Sequence, residues 1–415
     1  MRNNLIVYFV GVKNSVLIAY LVGCLFVVNP AFAQTTTTTT TETAWTVGLS
    51  VRFFVDQNDP TAASIVGVWI KGTVHVLTYA LGPWLSTHGI TNDWLVSPGI
   101  TVQDRNGNVL NSDANGDPAT AAWNFDPYEN GAIDPSYTAG MHYYLAQCGF
   151  GDLQPAAAPV NDNGLIIGDV MNQNVAQDFI LDSGGYTTLV WTGTTLGTPN
   201  MPPGTNAGSG VVLAGWSRLD QGGSTLNKIV DISGRAKCSK SGYRQLIAGI
   251  ETAGTGTKRY LVVMGSQTLA VNGGVTDLAP NVTLEFHSFQ NGLIATNTGW
   301  DQGVTVAPGA AQGGIEVRSA TQDDFVAVSS PQTVSPGSND SAMVVTVPAP
   351  GGYTVLGYGT ADGNAIAEVF ELPDLPAPQV LTARFDDSAA QRGLSIGMFA
   401  SLLSTTEEIK IGRLS

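Results

Sequence analysis

Ile65-Val66-Gly67-Val68-Trp69-Ile70, a Lys/Gly/Thr turn, and then Val76-Leu77-Thr78-Tyr79-Ala80-Leu81-Gly82 form a pattern that this chain uses twice. It returns as Leu246-Ile247-Ala248-Gly249-Ile250, an Ala/Gly/Thr turn, and Leu261-Val262-Val263-Met264-Gly265. A strand with a single arginine precedes each copy, Arg52 in Leu49-Ser50-Val51-Arg52-Phe53 and Arg235 in Ile232-Ser233-Gly234-Arg235-Ala236. A third start, Leu381-Thr382-Ala383-Arg384-Phe385, precedes Leu394-Ser395-Ile396-Gly397-Met398 and Ile409-Lys410-Ile411-Gly412. What recurs in a tandem array is what the fold needs, so the shared pattern is scaffold.

The correspondence extends beyond the first hairpin. Leu95-Val96-Ser97-Pro98, Ile100-Thr101-Val102-Gln103, Asn106-Gly107 and Val109-Leu110 return as Leu278-Ala279-Pro280, Val282-Thr283-Leu284-Glu285, Asn291-Gly292 and Leu293-Ile294. Gly184-Gly185-Tyr186-Thr187 returns as Gly351-Gly352-Tyr353-Thr354, each followed by a closing strand, Val211 to Trp216 or Ile366 to Phe370. Asn-Gly between apolar runs marks hairpins, because both turn residues must tolerate positive φ. Val282, Leu284 and Phe286 alternate with Thr283, Glu285 and His287, the period of a strand with one face on a core and one in water.

Composition agrees. Only 12% of residues are charged, about half the roughly 25% typical of soluble domains, while 49 Gly and 21 Pro supply turns. No long stretch places apolar residues at helical spacing. The expected fold is all-β: two tandem β-sandwich domains from the internal repeat, plus a partial third repeat at the C-terminus. The expected boundaries are 1–33 for a signal peptide, 34–44 for a Thr-rich linker, 45–222 for the first unit with an insert at 118–163, 223–374 for the second, and 375–415 for the third, begun as a hairpin.

Leu246 to Gly249, Ala80-Leu81-Gly82-Pro83, and Ser341-Ala342-Met343-Val344-Val345-Thr346-Val347 before Gly352-Tyr353 give the chain a recognisable look. It resembles a tandem all-β repeat module of large bacterial secreted and cell-surface proteins. In that module a Leu-Ile-Ala-Gly strand leads into Val-Leu-Ile-Arg-Ala-x-Gly-Pro and a Leu-x-Asp-Pro turn. Tyr79 and Val263 stand where the module has arginine. The resemblance implies a β-sandwich outside the cell or on its surface, and no particular activity.

Arg2 and Lys13 precede an apolar run from Val16 to Val28, and Ala31-Phe32-Ala33 supplies a small-x-small cleavage site, the pattern of a secretory signal. Leu21-Val22-Gly23-Cys24 offers an alternative, lipid anchoring at Cys24, in which the mature chain would begin with an apolar stretch rather than a polar tether. No later segment has the length of a membrane-spanning helix. The net charge of −15 becomes more negative once Arg2 and Lys13 are removed, a field that repels nucleic acid and anionic membranes.

Chemistry-bearing motifs are few. Asn111, Asp113, Asn115 and Asp117 are spaced like the start of a calcium loop, since alternating side-chain oxygens wrap a large hard cation, but position twelve is Ala122 rather than a glutamate. The second repeat has Asn297, Gly299 and Asp301 there, so a polar hairpin tip explains both copies. Asp182-Ser183-Gly184-Gly185 has the look of a protease serine, yet Pro350-Gly351-Gly352 occupies the equivalent turn. The four histidines match no zinc spacing. Cys148 and Cys238 admit one disulfide, which export permits, or two buried thiols.

The insert carries Trp123, Tyr128 and Tyr137 among acidic residues, and Trp300 sits at a hairpin tip. These are the aromatics expected to offer a flat face to a sugar, the other tryptophans falling in apolar strands. The expected function is a non-enzymatic extracellular structural or adhesive surface protein, self-assembling by strand addition if the third hairpin seeks a neighbour's edge. The alternative is a carbohydrate-binding protein using the exposed aromatics, and the third reading is a secreted hydrolase. Calcium is the one cofactor, and a surface glycan or a second copy the partners, that the residues suggest.

Overall fold

The computed structural model describes residues 4–8, 380–384, 411–413, and 44–373 apart from 57–63, 91–92, 97, 111–127, 130–131, 134–164, 170–171, 193–208, 220–225, 309–312 and 329–337. Along the chain β1 is Asn4–Tyr8. The first repeat holds β2 (Trp45–Val55), β3 (Ser64–Lys71), β4 (Val74–Leu81), β5 (Pro98–Asp104), β6 (Tyr128–Glu129), β7 (Ala132–Ile133), β8 (Leu165–Asp169), β9 (Asn172–Leu181), β10 (Gly184–Thr192) and β11 (Gly210–Arg218). The second holds β12 (Lys228–Cys238), β13 (Leu246–Gly265), β14 (Thr283–Ser288), β15 (Gly292–Asn297), β16 (Thr305–Val306), β17 (Glu316–Ser319), β18 (Ser341–Tyr358) and β19 (Gly363–Glu371). Then come β20 (Val380–Arg384) and β21 (Ile411–Arg413), and two short helices, α1 (Gln267–Gly273) and α2 (Gln322–Ala327), lie in the second repeat.

The alternation read from the sequence is realised in β14, where Leu284 and Phe286 are buried and Thr283, Glu285 and His287 half-buried. Both Asn-Gly turns have their glycine at positive φ, Gly107 at 82° and Gly292 at 67°, a region that side chains with a Cβ avoid.

The two repeats have one topology. In the first, β2-β11-β4-β9 form one sheet and β3-β10-β5 the facing one. In the second, β12-β19-β13-β18 correspond to the former, while the opening half of β13, the closing half of β18, β14 and β15 correspond to the latter. Strands β13 and β18 are long enough to bend from one sheet into the other, with a register break in their pairing between Thr252 and Gly256, whereas the first repeat divides the same course between β3 and β4, and between β9 and β10. The strand order is that of an eight-stranded jelly roll, two Greek keys folded face to face. The first repeat begins its fifth strand at Val109–Leu110, bridged to Gln103 and Val102, before the chain enters the insert.

Each repeat lends its first strand to the other. β2 pairs with the opening half of β13, Arg52 opposite Ile247, and β12 pairs with β3, Arg235 opposite Ile65. These are equivalent positions, so the contact is isologous within a single chain, as in a two-fold dimer. It fuses the sandwiches edge to edge into two continuous sheets. Sheet I runs β8-β9-β4-β11-β2-β13-β18-β14-β15-β16, and sheet II runs β5-β10-β3-β12-β19-β13-β18-β17. One core, containing Phe53, Val68 and Trp216 from the first repeat and Tyr260, Phe286 and Val345 from the second, fills the space between them. Glu42–Pro373 is accordingly one compact unit, and the boundary at 222/223 divides two copies of a fold inside it.

Near the junction, equivalent positions Val51 and Gly234 meet. A Cβ on Gly234 would lie 2.4 Å from Val51 Cγ1 and 2.8 Å from its Cβ. Gly234→Ala is expected to cost roughly 1–3 kcal/mol by overpacking, and Val51→Ala in the same chain to recover part of it. Urea unfolding of the two single variants and the double checks this, and additive losses would refute the close approach.

The remaining unit, Met1–Thr41 with Asp374–Ser415, contains a small antiparallel sheet in which β1 pairs with β20 on one side and β21 on the other. Strands β20 and β21, expected as parts of one hairpin, thus share a partner in the segment read as a signal.

Candidate functional site

If recurrence marks scaffold, the informative positions are those where equivalent sites differ. The outer face of sheet II at the repeat junction is such a place. One row across it runs Gly185, Trp69, Asp231, Phe370, and the next Thr187, Gly67, Ser233, Glu368. The equivalent rows on sheet I run Gly352, Glu251, Gly48, Ser217 and Thr354, Gly249, Ser50, Gly215. The Gly-Ser pair recurs: a Cβ on Gly67 or Gly249 would lie 2.6 Å or 2.5 Å from the hydroxyl of Ser233 or Ser50. Asp231 and Glu368 do not recur, since glycine stands at both equivalents.

The Gly-Gly-Tyr motif explains how an aromatic ring comes to rest here. Gly184 and Gly351 leave room on the inner face for the rings of Tyr186 and Tyr353, two residues on. Gly185 and Gly352 do the same on the outer face. A Cβ on Gly185 would be 3.0 Å from Cε3 of Trp69, and one on Gly352 only 2.3 Å from Cδ2 of Phe289. Each ring lies against glycine backbone and remains open to solvent, Trp69 at 46% and Phe289 at 80% exposure.

Asp231 is half-buried between Trp69 and Phe370. That placement pushes its carboxyl up to about 7, opposed by a hydrogen bond from the Trp69 backbone. Glu368 is 3% exposed, and burial, reinforced by the negative charges of Asp231 and Asp340, pushes it up to about 8. Asp340 is itself held by the amides of Ser266, Gln267 and Thr268 and by the Thr268 hydroxyl. Burial also lowers the pKa of the half-buried Arg235 guanidinium. The arrangement presents one flat apolar ring beside the Ser233 and Thr187 hydroxyls and the Asp231 carboxyl, which keeps its proton in part near neutrality and can donate as well as accept hydrogen bonds, while Glu368 is buried.

A second buried cluster sits on the inner side of the junction. Glu371 accepts hydrogen bonds from Lys228 at 2.5 Å, Lys258 at 3.0 Å and the Thr46 hydroxyl at 2.9 Å, and Thr46 is also 2.8 Å from the Tyr260 hydroxyl. It joins both repeats and is saturated with internal partners, which marks it as structural.

The residues singled out in the sequence are distributed as follows. Asn111, Asp113, Asn115, Asp117, Trp123, Tyr137 and Cys148 lie outside the described residues, and Tyr128 is placed only as backbone of β6. Trp300 packs edge-on against Phe325, with ring centroids 6.1 Å apart, on a small core over the outer face of sheet II. Trp300, expected as an aromatic presented at a hairpin tip, is instead half-buried and packs against a ring of α2. Asn297 organises the adjoining turn, donating to the carbonyls of Gly299 and Gly303 and accepting from the Ala342 amide. Cys238 is a buried thiol, and its suggested disulfide partner Cys148 is outside the described residues; the core around Cys238 pushes its pKa up to about 11. Ser183 accepts from the Gly72 amide at 2.7 Å, a turn contact.

Among the described residues, no group of three or more His, Cys, Asp or Glu is arranged to hold a metal ion. Trp69 and Asp231 were missed because each is ordinary in its own strand. The signal that was available is the repeat alignment itself, which sets Glu251 against Trp69 and Gly48 against Asp231.

No family model matches the chain, and no curated protein matches it. Among solved structures the chain is similar to one described as "Crystal Structure of the STIV MCP", with 12% identity and a TM-score of 0.15 over 83% of this chain and 98% of that one. A likeness at that level carries no argument about fold or function. No helix among the described residues is long and apolar enough to cross a membrane.

Proposed function

We propose that this chain is a non-enzymatic extracellular structural or adhesive protein. The observation that supports the reading is the reciprocal fusion of two equal jelly rolls, in which the shared positions supply core, turns and junction. A body of this kind is rigid and presents broad sheet faces, and recognition is grafted onto its non-recurring positions. The N-terminal signal pattern and the acidic charge suit an exported, soluble chain.

The test uses the full chain coupled to beads. Retention on polysaccharide-coated surfaces, without release of reducing ends or cleavage of peptide substrates, is expected. Turnover that scales with protein and disappears on substituting one acid or serine would overturn the reading in favour of a hydrolase. Self-assembly through the C-terminal strands is a separate expectation. Light scattering of the full chain at high concentration should then show growth that is absent after truncation at Asp374, and a monomer under both conditions removes it.

A further inference from the structure

We infer that the Trp69 face of sheet II is a binding site for one pyranose unit of a neutral glycan, with the indole as its stacking platform. The site rests on the adhesive reading above and names its ligand class. Trp69 is an exposed ring at the junction, at 46%, and glycine backbone at Gly185 supports its underside. A pyranose presents a face of polarised C–H bonds that suits the negative face of an indole. Its rim of hydroxyls needs short polar partners at the ring's edge. Those are present: Asp231 directly opposite on β12, Ser233 and Thr187 one row along, and Gln103 beyond Thr187.

The polar surround decides between occupants. An apolar peptide or a lipid chain would want further large apolar side chains around the indole, and the adjoining outward positions are Gly67, Lys71, Thr187, Ser233 and Asp231 instead. Asp231 bears on the charge of the sugar. It stands directly beside the ring and is only partly ionised near neutrality, so a neutral sugar meets a donor as well as an acceptor there, while its residual charge disfavours an acidic one. Phe289 makes the comparison internal. Its ring covers the equivalent Gly352, but sheet I has Gly48 and Gly215 where sheet II has Asp231 and Glu368. It has Glu251, Thr354 and Ser50 nearby and lacks only counterparts of Asp231 and Glu368.

Isothermal titration of the full chain with hexaoligosaccharides of glucose, mannose and N-acetylglucosamine, and with hexagalacturonate, tests the inference. At least one neutral hexamer is expected to bind and to quench indole fluorescence, and the uronate to bind more weakly than it. Trp69→Ala should weaken the neutral ligand roughly tenfold or more, as expected for an exposed aromatic anchor. Trp69→Phe should recover part of the loss, Asp231→Asn should change affinity, and Phe289→Ala should leave it as in the parent. Unchanged circular dichroism in Trp69→Ala confirms that the fold persists, and Trp69→Phe serves if it does not. Absence of binding by every hexamer, tighter uronate binding, or equal losses in Trp69→Ala and Phe289→Ala would each overturn the site. Those outcomes leave the adhesive reading standing, since only turnover removes that.

Discussion

Glu371→Ala is expected to destabilise the molecule by about 3–5 kcal/mol, the cost of leaving buried cations without their counter-charge. The Glu371 side chain is 1% exposed and the Lys258 side chain 5%, so neither ammonium nor carboxylate has ready access to water once its partner is gone. Lys228 is more open at 19%, and Lys228→Met should cost much less because Lys258 still neutralises the carboxylate. The cluster ties Thr46 of the first repeat to Tyr260 and Glu371 of the second, so its loss loosens the junction rather than one sandwich. Urea unfolding of the two single variants separates the cases. A Glu371→Ala loss below about 1 kcal/mol would show that water reaches the cluster.

The second large effect depends on pH. Asp231 and Glu368 have folded-state pKa values raised from 3.8 and 4.5 to about 7 and about 8. Between the ordinary and the raised values the folded chain holds protons that the unfolded chain has released. Stability from this source is therefore complete below about pH 4 and is lost as pH rises through 7 and 8. A tenfold difference in proton affinity between the folded and unfolded chain corresponds to about 1.4 kcal/mol. Because part of the rise at Glu368 comes from Asp231, the two are not additive, and a loss on the order of 3 kcal/mol between pH 5 and pH 9 is expected. Glu368→Gln keeps the shape without the ionisable proton. It should match the parent at pH 5 and exceed it by about 2 kcal/mol or more at pH 9, read as the change in urea midpoint. Equal pH slopes in parent and variant would contradict the burial assigned to Glu368.

At the acid end the sign reverses. Asp324, half of the capping box of α2 and paired with Arg318 at 2.6 Å, is held below the usual carboxylate range by the Arg318 and Thr321 hydrogen bonds, which outweigh burial. Its contribution is present above about pH 4 and disappears as pH falls. The adjacent acids Asp323-Asp324 form the first turn of α2.

The elements of each repeat were legible because their signals are local. Alternation places Leu284 and Phe286 inward whatever the strand's neighbours, and an Asn-Gly pair turns the chain through its own φ. The same locality explains the misreadings. Trp300 lies beside an Asn-Gly-like tip in sequence, but whether a ring at a tip faces water depends on what folds over it, and Phe325 does so from α2. Cys238, left open in the sequence between a disulfide and a buried thiol, is enclosed by the core.

By itself the sequence determined that this chain is all-β, that its two halves are copies, and where most strands begin and turn. Only the tertiary structure decided how the copies join. A strand's edge is a row of amides and carbonyls with no side-chain address, so nothing in Arg52 or Arg235 says which edge each strand will meet. Closure of both sheets around one core made β2 a neighbour of β13 and β12 a neighbour of β3. That exchange placed Trp69 of one repeat beside Asp231 of the other and created an outer face at the junction where the two repeats differ in ionisable groups.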